Sequence, residues 1–481
     1  MDAISFHAFM FPFRWKIREY DDKSFSEQVN LENIRYALSS NWERMSNPTE
    51  EGEKDGLYNE RNYFYEFVHP ALYDDGSHHT LVRHYERCEP KHNEVTYHIV
   101  CGGAHDEYIL DVQSINLNLY ATGVGVLSIY LSNNRYTEIK DILAINQYGR
   151  RVFPPFIADV NGRNEIAHSL SFEGLNGVYG EDYSGYTNKT PSNHPAAFIG
   201  KMVNEVAENI IMQPVIDDRM FVLCWYMNNE WAAEFDSDYN KFISENKEWY
   251  KFVFVDNMWG LSCYNDEMRK ELIKKATYER WQGLYSLYGI SRYSMVYLTN
   301  TGTATEAPFL FTNFETEYVR MAELVLMQRA SVLRFSAEVT QISKLSGTKD
   351  FSNRVSSLYR EYIRFVNRFY FREISAQDQA IEIYQKLYDA MNLKEQVEKL
   401  DGEIEELHSY VSMREDSRTN RTMSLLTWIT TIFLPVTVVA GYFSMGNFRQ
   451  NPMFLFESIL MICFAIVVIS IVLIINKLRI R

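Results

Sequence analysis

Cysteine is scarce in this sequence, and its scarcity limits the class of protein. The chain of 481 residues contains five cysteines, an odd number, with no CxxC pair. This pattern excludes a scaffold held by disulfides and is typical of reducing compartments. The first residues also lack a basic segment followed by an apolar core and a small-residue cleavage site, so no signal peptide is predicted. We therefore expect most of the chain to lie in the cytoplasm.

Sequence patterns of known catalytic chemistry are absent as well. The chain shows no Ser-His-Asp, HExxH, Walker or kinase constellation, and the "GVG" of Gly123 to Gly125 lacks the Lys-Ser or Lys-Thr of a P-loop. We therefore expect that the protein is not an enzyme. The formal net charge of −15 disfavours direct nucleic-acid binding, because phosphate contacts need basic residues in excess.

A histidine-rich stretch, residues 78–105, is a weak candidate for a metal site. The stretch contains no CxxC and no HxxxH pair, so solvated loop histidines are the favoured interpretation and the metal ligands stay unassigned. The residues concerned are His78, His79, His84, His92, His98, His105, Cys88 and Cys101.

Proline is absent from residues 309–434, and the glycines there are Gly347 and Gly402. Such a stretch permits long helices, because proline breaks a helix and glycine weakens it. We predict a helical bundle and stalk at 309–420, with one helix before "SGTKD" and one or two very long helices from Phe351 into a membrane span. Apolar residues in alternating four- and three-residue steps predict a packed seam along the stalk. They are Leu393, Val397, Leu400, Ile404, Leu407 and Val411.

Residues 1–308 are predicted to form an α/β domain. The segments "YILDVQSINLNLYATGVGVLSIYLSNN", "DRMFVLCWYM" and "YSMVYLT" combine β-branched and aromatic residues with partial alternation, which indicates strands. Between them, "RYTEIKDILAIN" predicts a helix. The segment "FEGLNGVYGEDYSGYTNKTPSNHPAAF" is predicted to be a long loop that could cover a site or a subunit contact.

Charge is absent between Arg421 and Arg449, where 23 largely apolar residues, 423–445, suffice to cross a bilayer. A second uncharged run of 19 residues, "SILMICFAIVVISIVLIIN", follows. A buried hairpin of a soluble protein is the weaker alternative for these two runs. The predicted segments are transmembrane helix 1 at 421–448, a short external loop at 449–456, transmembrane helix 2 at 457–477 and a basic tail at 478–481.

Basic residues predict the orientation of this pair of spans. The connecting loop offers only Arg449 before Glu457, whereas basic residues flank both outer ends. By the positive-inside rule, both termini face the cytoplasm. The flanking residues are Arg414, Arg418 and Arg421 before the first span and Lys477, Arg479 and Arg481 after the second.

The order of these segments, with "TIFLPVTVVAG" and the near-GMN stretch "GYFSMGNF", resembles the CorA family of metal-ion channels. The motif resemblance covers roughly the last 60 residues, and the layout covers the whole chain. The resemblance implies a CorA-like funnel: an α/β cytoplasmic domain, a long α-helical stalk and two C-terminal transmembrane helices, usually assembled as a pentamer. It also implies a bacterial inner membrane, with the lipid bilayer as partner and Mg²⁺ or another divalent cation as the expected ion.

The motif departs from the family's Gly-Met-Asn. Aligning on "FLP" and Met445 puts Ser444 at the glycine and Gly446 at the asparagine, whereas one extra residue restores Asn447-Phe448. If Gly446 occupies the ring position, the carboxamide ring that holds a hydrated divalent cation is missing. An equally weighted alternative is that Asn447 caps the helix and Arg449 anchors at head groups. The motif region is Ser444, Met445, Gly446, Asn447 and Phe448.

By the same resemblance, one stripe of the first span faces the pore. Its apolar members would form a constriction that closes by dewetting, and its threonines would offer hydroxyls to a wet pore. Packing against lipid or neighbouring helices is the alternative for these side chains. The stripe comprises Met423, Leu426, Thr430, Leu434, Thr437 and Gly441.

Three functions compete. The preferred one is a ligand-gated channel resembling the divergent CorA-like proteins encoded with type III CRISPR systems, which an adenine-nucleotide-derived messenger would open in antiviral defence. The alternative is a magnesium or other divalent-cation uptake channel gated by its own ion. A membrane-tethered enzyme or scaffold is the least supported. Arg150 and Arg151, beside aromatic residues, form a composition able to grip phosphate, although a solvated surface pair is favoured for them.

Overall fold

The structure is a computed structural model that divides into two compact units, Met1–Ile404 and Glu405–Arg481. It describes residues 3–21, 23–36, 41–46, 60–88, 94–101, 105–153, 159–160, 163–164, 166–186, 194–215, 219–256, 260–345 and 350–444, with scattered positions between 453 and 470.

The strands that the structure describes lie in the first unit. They are β1 (Ser5–Ile17), β2 (Trp42–Arg44), β3 (Val82–Arg87), β4 (Thr96–Val100), β5 (Glu107–Tyr120), β6 (Val124–Asn133), β7 (Asp159–Val160), β8 (Arg163–Asn164), β9 (Ser169–Glu173), β10 (Tyr179–Asp182), β11 (Ile210–Pro214), β12 (Phe221–Met227), β13 (Thr277–Tyr278), β14 (Leu287–Ile290) and β15 (Ser294–Thr299).

Helices occur between the strands and dominate the chain after Pro308. They are α1 (Phe25–Gln28), α2 (Glu60–Tyr63), α3 (His69–Leu72), α4 (Ile139–Gly149), α5 (Ala197–Val206), α6 (Asn229–Ser237), α7 (Tyr239–Glu245), α8 (Lys247–Phe254), α9 (Asp266–Ala276), α10 (Thr301–Glu306), α11 (Phe309–Asn313), α12 (Val319–Ser343), α13 (Phe351–Arg368), α14 (Asp378–Ala390) and α15 (Leu393–Ser444).

Thirteen of the described strands form one sheet, in the order β10-β9-β4-β5-β6-β1-β12-β15-β14-β13. Strand β3 also pairs with β5, β2 pairs with β3, and β11 pairs with β1. Strands β12 and β15 are parallel, while β1 is antiparallel to both of its long neighbours. The α/β class predicted for the body is therefore confirmed.

Strand β1 is the central strand of this sheet, and the sequence analysis did not predict it. It pairs with β6 on one side, and with β12 and then β11 on the other. Pro12 lies where the partner changes from β12 to β11. A proline, which has no N–H to donate, is tolerated at such an interruption of the ladder.

Helices cover both faces of the sheet at β1. Successive residues of a strand point to opposite faces. The ring of Phe6 lies 6.0 Å from that of Phe311 in α11, whereas Nδ1 of His7 lies 2.8 Å from Oδ1 of Asn146 in α4. Because neither face meets water, β1 is buried from Ser5 to Phe13 rather than alternating.

Several predicted elements are confirmed, and one loop prediction is wrong in part. The predicted strands correspond to β5, β6, β12 and β15, and the predicted helix to α4. Within the predicted long loop, however, Tyr179–Asp182 pairs with β9 as an edge hairpin. Its turn contains Gly174 and Gly177 at φ +91° and +116°, so the glycines that suggested a loop serve a tight connection between strands.

The helices after Pro308 are more numerous than predicted. Helix α11 continues through a π-helical turn, Phe314–Tyr318, into α12, as expected. From Phe351 onward the described chain forms three helices rather than one or two. Hydrogen bonds from distant residues stabilise the break after α13. The Phe369 carbonyl accepts from the Gln328 side chain at 2.7 Å, and the Ile374 carbonyl accepts from the Tyr65 N–H at 2.9 Å.

The first unit extends beyond Pro308 to Ile404 because α12 packs on the sheet. Arg334 of α12 donates to the carbonyl of Trp15 at 2.6 Å and to that of Gly123. The start of α15 belongs to the same unit: Val397 and Ile404 are buried, and the Tyr362 hydroxyl of α13 donates to the Val397 carbonyl at 3.4 Å. The first half of the predicted seam therefore packs within its own chain.

Candidate functional site

Helix α15 connects the body to the predicted membrane span without interruption. It is 52 residues long, which corresponds to about 78 Å at ~1.5 Å per residue. Its one internal proline, Pro435, removes the N–H that would bond to the Thr431 carbonyl. Such a proline is tolerated in membrane helices, where neighbouring groups satisfy the freed carbonyl.

The C-terminal part of α15 is apolar and exposed on its own chain. Among the described residues, one helix, Leu393–Gly441, is long and apolar enough to cross a membrane, and its most apolar window is not buried in the protein. A helix that is apolar all round needs lipid or another subunit to cover it. This agrees with the first predicted span.

The second predicted span lies mostly outside the described residues. Residues 458–464 are helical, with Ile459 and Leu460 exposed. The second span therefore stays a prediction, as do the external loop and the basic tail.

All six residues of the predicted pore stripe are described, and all are exposed. The hydroxyls of Thr430 and Thr437 donate to the carbonyls of Leu426 and Phe433, at 2.8 and 2.5 Å. Their donor capacity is thus used within the helix, and each oxygen keeps lone pairs that could accept from a water in a wet pore. The pore-facing assignment itself stays a prediction.

The arginines of α15 just before the apolar part are confined to one face of the helix. At about 100° per residue, Arg414, Arg418 and Arg421 fall on one face, roughly 180° from Met423. Glu405 and Asp416 fall within about 20° of Met423. Both carboxylates are exposed. The side of the helix that continues into the predicted pore stripe therefore carries carboxylates and none of the three arginines.

The selectivity-motif region begins at the end of the described helix. Ser444 is the last residue of α15, and Met445, Gly446, Asn447 and Phe448 lie outside the described residues. The two alignments of the motif, and the ring position, stay predictions.

Arg150 and Arg151, the predicted phosphate-gripping pair, end up in different environments. Arg150 caps the C-terminus of α4 and is 1% exposed, and its guanidinium donates to the carbonyl of Val255 at 2.7 Å. Arg151 is half-buried, and its main chain forms an isolated antiparallel β-bridge with that of Arg219. The Arg150 guanidinium is thus engaged inside the body, and Arg151 is the more accessible of the two.

The histidine-rich stretch does not assemble into a metal site in the described part of the chain, where no group of three or more His, Cys, Asp or Glu side chains stands close enough to hold a metal ion. Instead, the histidines pair separately. Nδ1 of His84 bonds to Asn118 at 2.5 Å, and Nδ1 of His98 bonds to Glu107 at 2.6 Å. Burial lowers the pKa of His84 to about 4, so this histidine is neutral at pH 7. His92 lies outside the described residues.

Two clefts on the first unit carry clusters of basic residues that the sequence analysis missed. One, of about 780 Å³, lies between α7, α9 and α14 and contains Lys270, Lys274 and Arg280. The other, of about 700 Å³, lies along α13 and contains three arginines. The regular spacing of those arginines in "YREYIRFVNR" was the available sequence signal.

Comparison with known proteins finds a family match for the C-terminal region. Residues 317–479 match the family model of CorA-like Mg²⁺ transporter proteins. This match covers α12 to α15 and the second predicted span, and it confirms the resemblance to the CorA-type superfamily for this part of the chain.

A solved structure is also similar: the complete structure of the CorA magnesium transporter from Methanocaldococcus jannaschii, at 12% identity over 56% of this chain and 94% of that one, with a TM-score of 0.21. No curated protein matches the sequence.

Proposed function

We propose that the chain is one subunit of a homo-oligomeric, CorA-like cation channel in the bacterial inner membrane, with α15 lining the pore. One observation carries the proposal: the region matched by the CorA-like family model contains a continuous helix whose apolar end is exposed on its own chain. Five copies around an axis, with both termini cytoplasmic, would cover that end with protein and lipid.

Charge segregation on α15 supports a cation as the permeant ion. Glu405 and Asp416 precede the pore stripe on the same face, and carboxylates at a pore entrance raise the local concentration of cations. The three arginines on the opposite face are placed to meet anionic lipid head groups.

For the control of opening, we propose an intracellular ligand rather than the permeant ion. Two features support this: the body offers clefts large enough for a small molecule, and the loop after the motif begins with Arg449 instead of a carboxylate. Moving a pore from about 1% to about 99% open requires ~5.5 kcal/mol of differential binding, which several subunits could share. The adenine-nucleotide messenger and the type III CRISPR association rest on sequence resemblance, and the identity of neighbouring genes tests the association.

Uptake of magnesium or another divalent cation, gated by the ion itself, is the second candidate. The description of the matched family as CorA-like Mg²⁺ transporter proteins favours it. The two candidates differ in the species whose binding controls opening: an intracellular ligand in the first, and the permeant ion itself in the second.

Two measurements separate the candidates. Expression in a strain deficient in magnesium uptake should fail to restore growth without added magnesium, and purified protein in liposomes should stay closed when magnesium is removed. Rescue of growth by the unmodified chain, together with opening on magnesium removal, would assign the protein to ion-gated uptake. Absence of cation flux under every condition would overturn the channel proposal.

A further inference from the structure

Helix α13 carries a row of three arginines on one face. Arg360, Arg364 and Arg368 are spaced four residues apart, so they lie above one another over a rise of about 12 Å. All three are exposed, in a chain whose net charge is −15. Like charges at this spacing repel one another on a helix, so the row is unfavourable without a counter-charge.

The described part of the chain supplies little of that counter-charge. Arg364 pairs with Glu361 at 2.8 Å. Arg360 and Arg368 make no hydrogen bond or ion pair within the described residues. Arg368 lies in the last turn of α13, where a cation is favoured by the helix dipole, but Arg360 lies mid-helix and has no such stabilisation.

The row lines the cleft of about 700 Å³, whose size suits a small molecule. Three carboxylates also line the cleft, and each has a hydrogen-bond or ion-pair partner. Glu361 pairs with Arg364. Glu27 accepts from the Ser24 hydroxyl at 2.6 Å in a capping box, and Glu32 pairs with His79 at 2.8 Å. Arg360 and Arg368 are therefore the charged side chains of the cleft that lack a partner among the described residues.

We propose that this cleft binds a small anion with two or more phosphate groups, held by Arg360, Arg364 and Arg368. A guanidinium offers paired N–H donors that match phosphate oxygens, and three of them in a row can hold successive phosphate groups. Such a ligand supplies the missing counter-charge, and its size fits the cleft.

The bound anion would act on the helix that precedes the pore. Tyr362 lies on the buried side of α13, and its hydroxyl donates to the Val397 carbonyl in α15 at 3.4 Å. A ligand that pulls α13 toward the opposite wall of the cleft, formed by residues 26–33 and 78–81, would shift this helix, and the contact would pass the shift to α15. The coupling to opening, but not the binding itself, rests on the proposed function.

Calorimetry on the full-length protein in nanodiscs tests the binding, with magnesium-free tripolyphosphate as the probe. Replacing both unpaired arginines, Arg360→Gln and Arg368→Gln, should weaken binding at least tenfold. The matched control, Lys270→Gln and Lys274→Gln in the other basic cleft, removes the same charge and should change the affinity less than twofold. Arg360→Lys and Arg368→Lys should give an intermediate loss, because charge is kept and the paired donors are lost.

Circular dichroism melts of each variant would show that the fold is retained. The inference is overturned if the unmodified protein does not bind tripolyphosphate, or if the two glutamine pairs weaken binding equally. Cation flux into liposomes from the same preparations keeps the two proposals apart. Flux without tripolyphosphate binding would refute the anion site and support the channel. Binding without flux would support the anion site and refute the channel.

Discussion

Leu434 is the residue at which the proposed gate can be tested most directly. Its side chain is 67% exposed on the single chain and lies on the predicted pore stripe. Leu434→Ser should let water into a constriction that closes by dewetting, and so raise the resting leak of the channel. We expect at least a tenfold increase in basal cation flux into liposomes.

Leu425 is the matched control. It is 62% exposed and lies about 180° around the helix from Leu434, on the side proposed to face lipid. Leu425→Ser should leave the basal flux close to that of the unmodified protein. Equal leak from both variants, or from neither, would show that the stripe does not line the pore.

Two buried histidines should make the body sensitive to acid. Burial lowers the pKa values of His7 and His84 to about 4, below the ordinary value near 6.5. Between these values the unfolded chain binds protons that the folded chain does not, so stability falls as the pH drops below about 6.5. At pH 5 the loss should be about 2 kcal/mol for each histidine.

Thermal unfolding of the full-length protein at pH 7 and pH 5 measures this effect. Replacing His84 by Asn should reduce the difference between the two melting temperatures, whatever it does to the melting temperature at pH 7. An undiminished difference would locate the acid sensitivity elsewhere. The sequence grouped His84 with a possible metal cluster, and only its burial beside Asn118 showed a neutral structural role.

At the scale of elements, the start of α15, up to Ile404, packs into the first unit of its own chain. Ile404 is 1% exposed within a single chain, so Ile404→Asp would bury a carboxylate without a partner. We expect a loss of 3 kcal/mol or more, seen as a marked fall in the melting temperature.

Leu407, one turn further along α15, is only half-buried. Leu407→Asp should therefore change the melting temperature much less. If the seam also joins subunits, this variant should still lower the oligomer mass measured in nanodiscs. An unchanged mass together with an unchanged melting temperature would refute a seam at this position.

The helix breaks after α13 and α14 show why elements were predicted better than their boundaries. Residues 369–377 contain neither glycine nor proline, the local signals that predict a break. The chain leaves the helix there because its main chain bonds to Gln328 and Tyr65, more than 40 residues away. The second break uses Asn392 at φ +52°, a conformation that asparagine tolerates.

At the scale of the whole molecule, the exposed apolar end of α15 predicts a homo-oligomer. In a single copy, the side chains of the proposed pore stripe, including its threonines, would face lipid and would have no neighbouring subunit to pack against. We expect a mass near that of five subunits of 56.6 kDa when the protein is measured in nanodiscs. A monomer in such a membrane would contradict both the pore stripe and the channel proposal.

The sequence alone determined the features that depend on composition along the chain. A run without charge from Thr422 to Phe448 can be stable in a bilayer only as a helix, whatever surrounds it. The lack of proline over 309–434 likewise permits long helices in any context, and the β-branched segments of β5, β6, β12 and β15 indicate strands by themselves.

Only the tertiary structure decided the features that depend on distant partners. Strand β1 contains Pro12 and lacks alternation, yet it lies at the centre of the sheet because helices bury both of its faces. Arg150 looked like a surface cation, but the Val255 carbonyl, 105 residues away, holds it inside. Burial and long-range hydrogen bonds set the role of such residues, and neither is encoded in the local pattern of side chains.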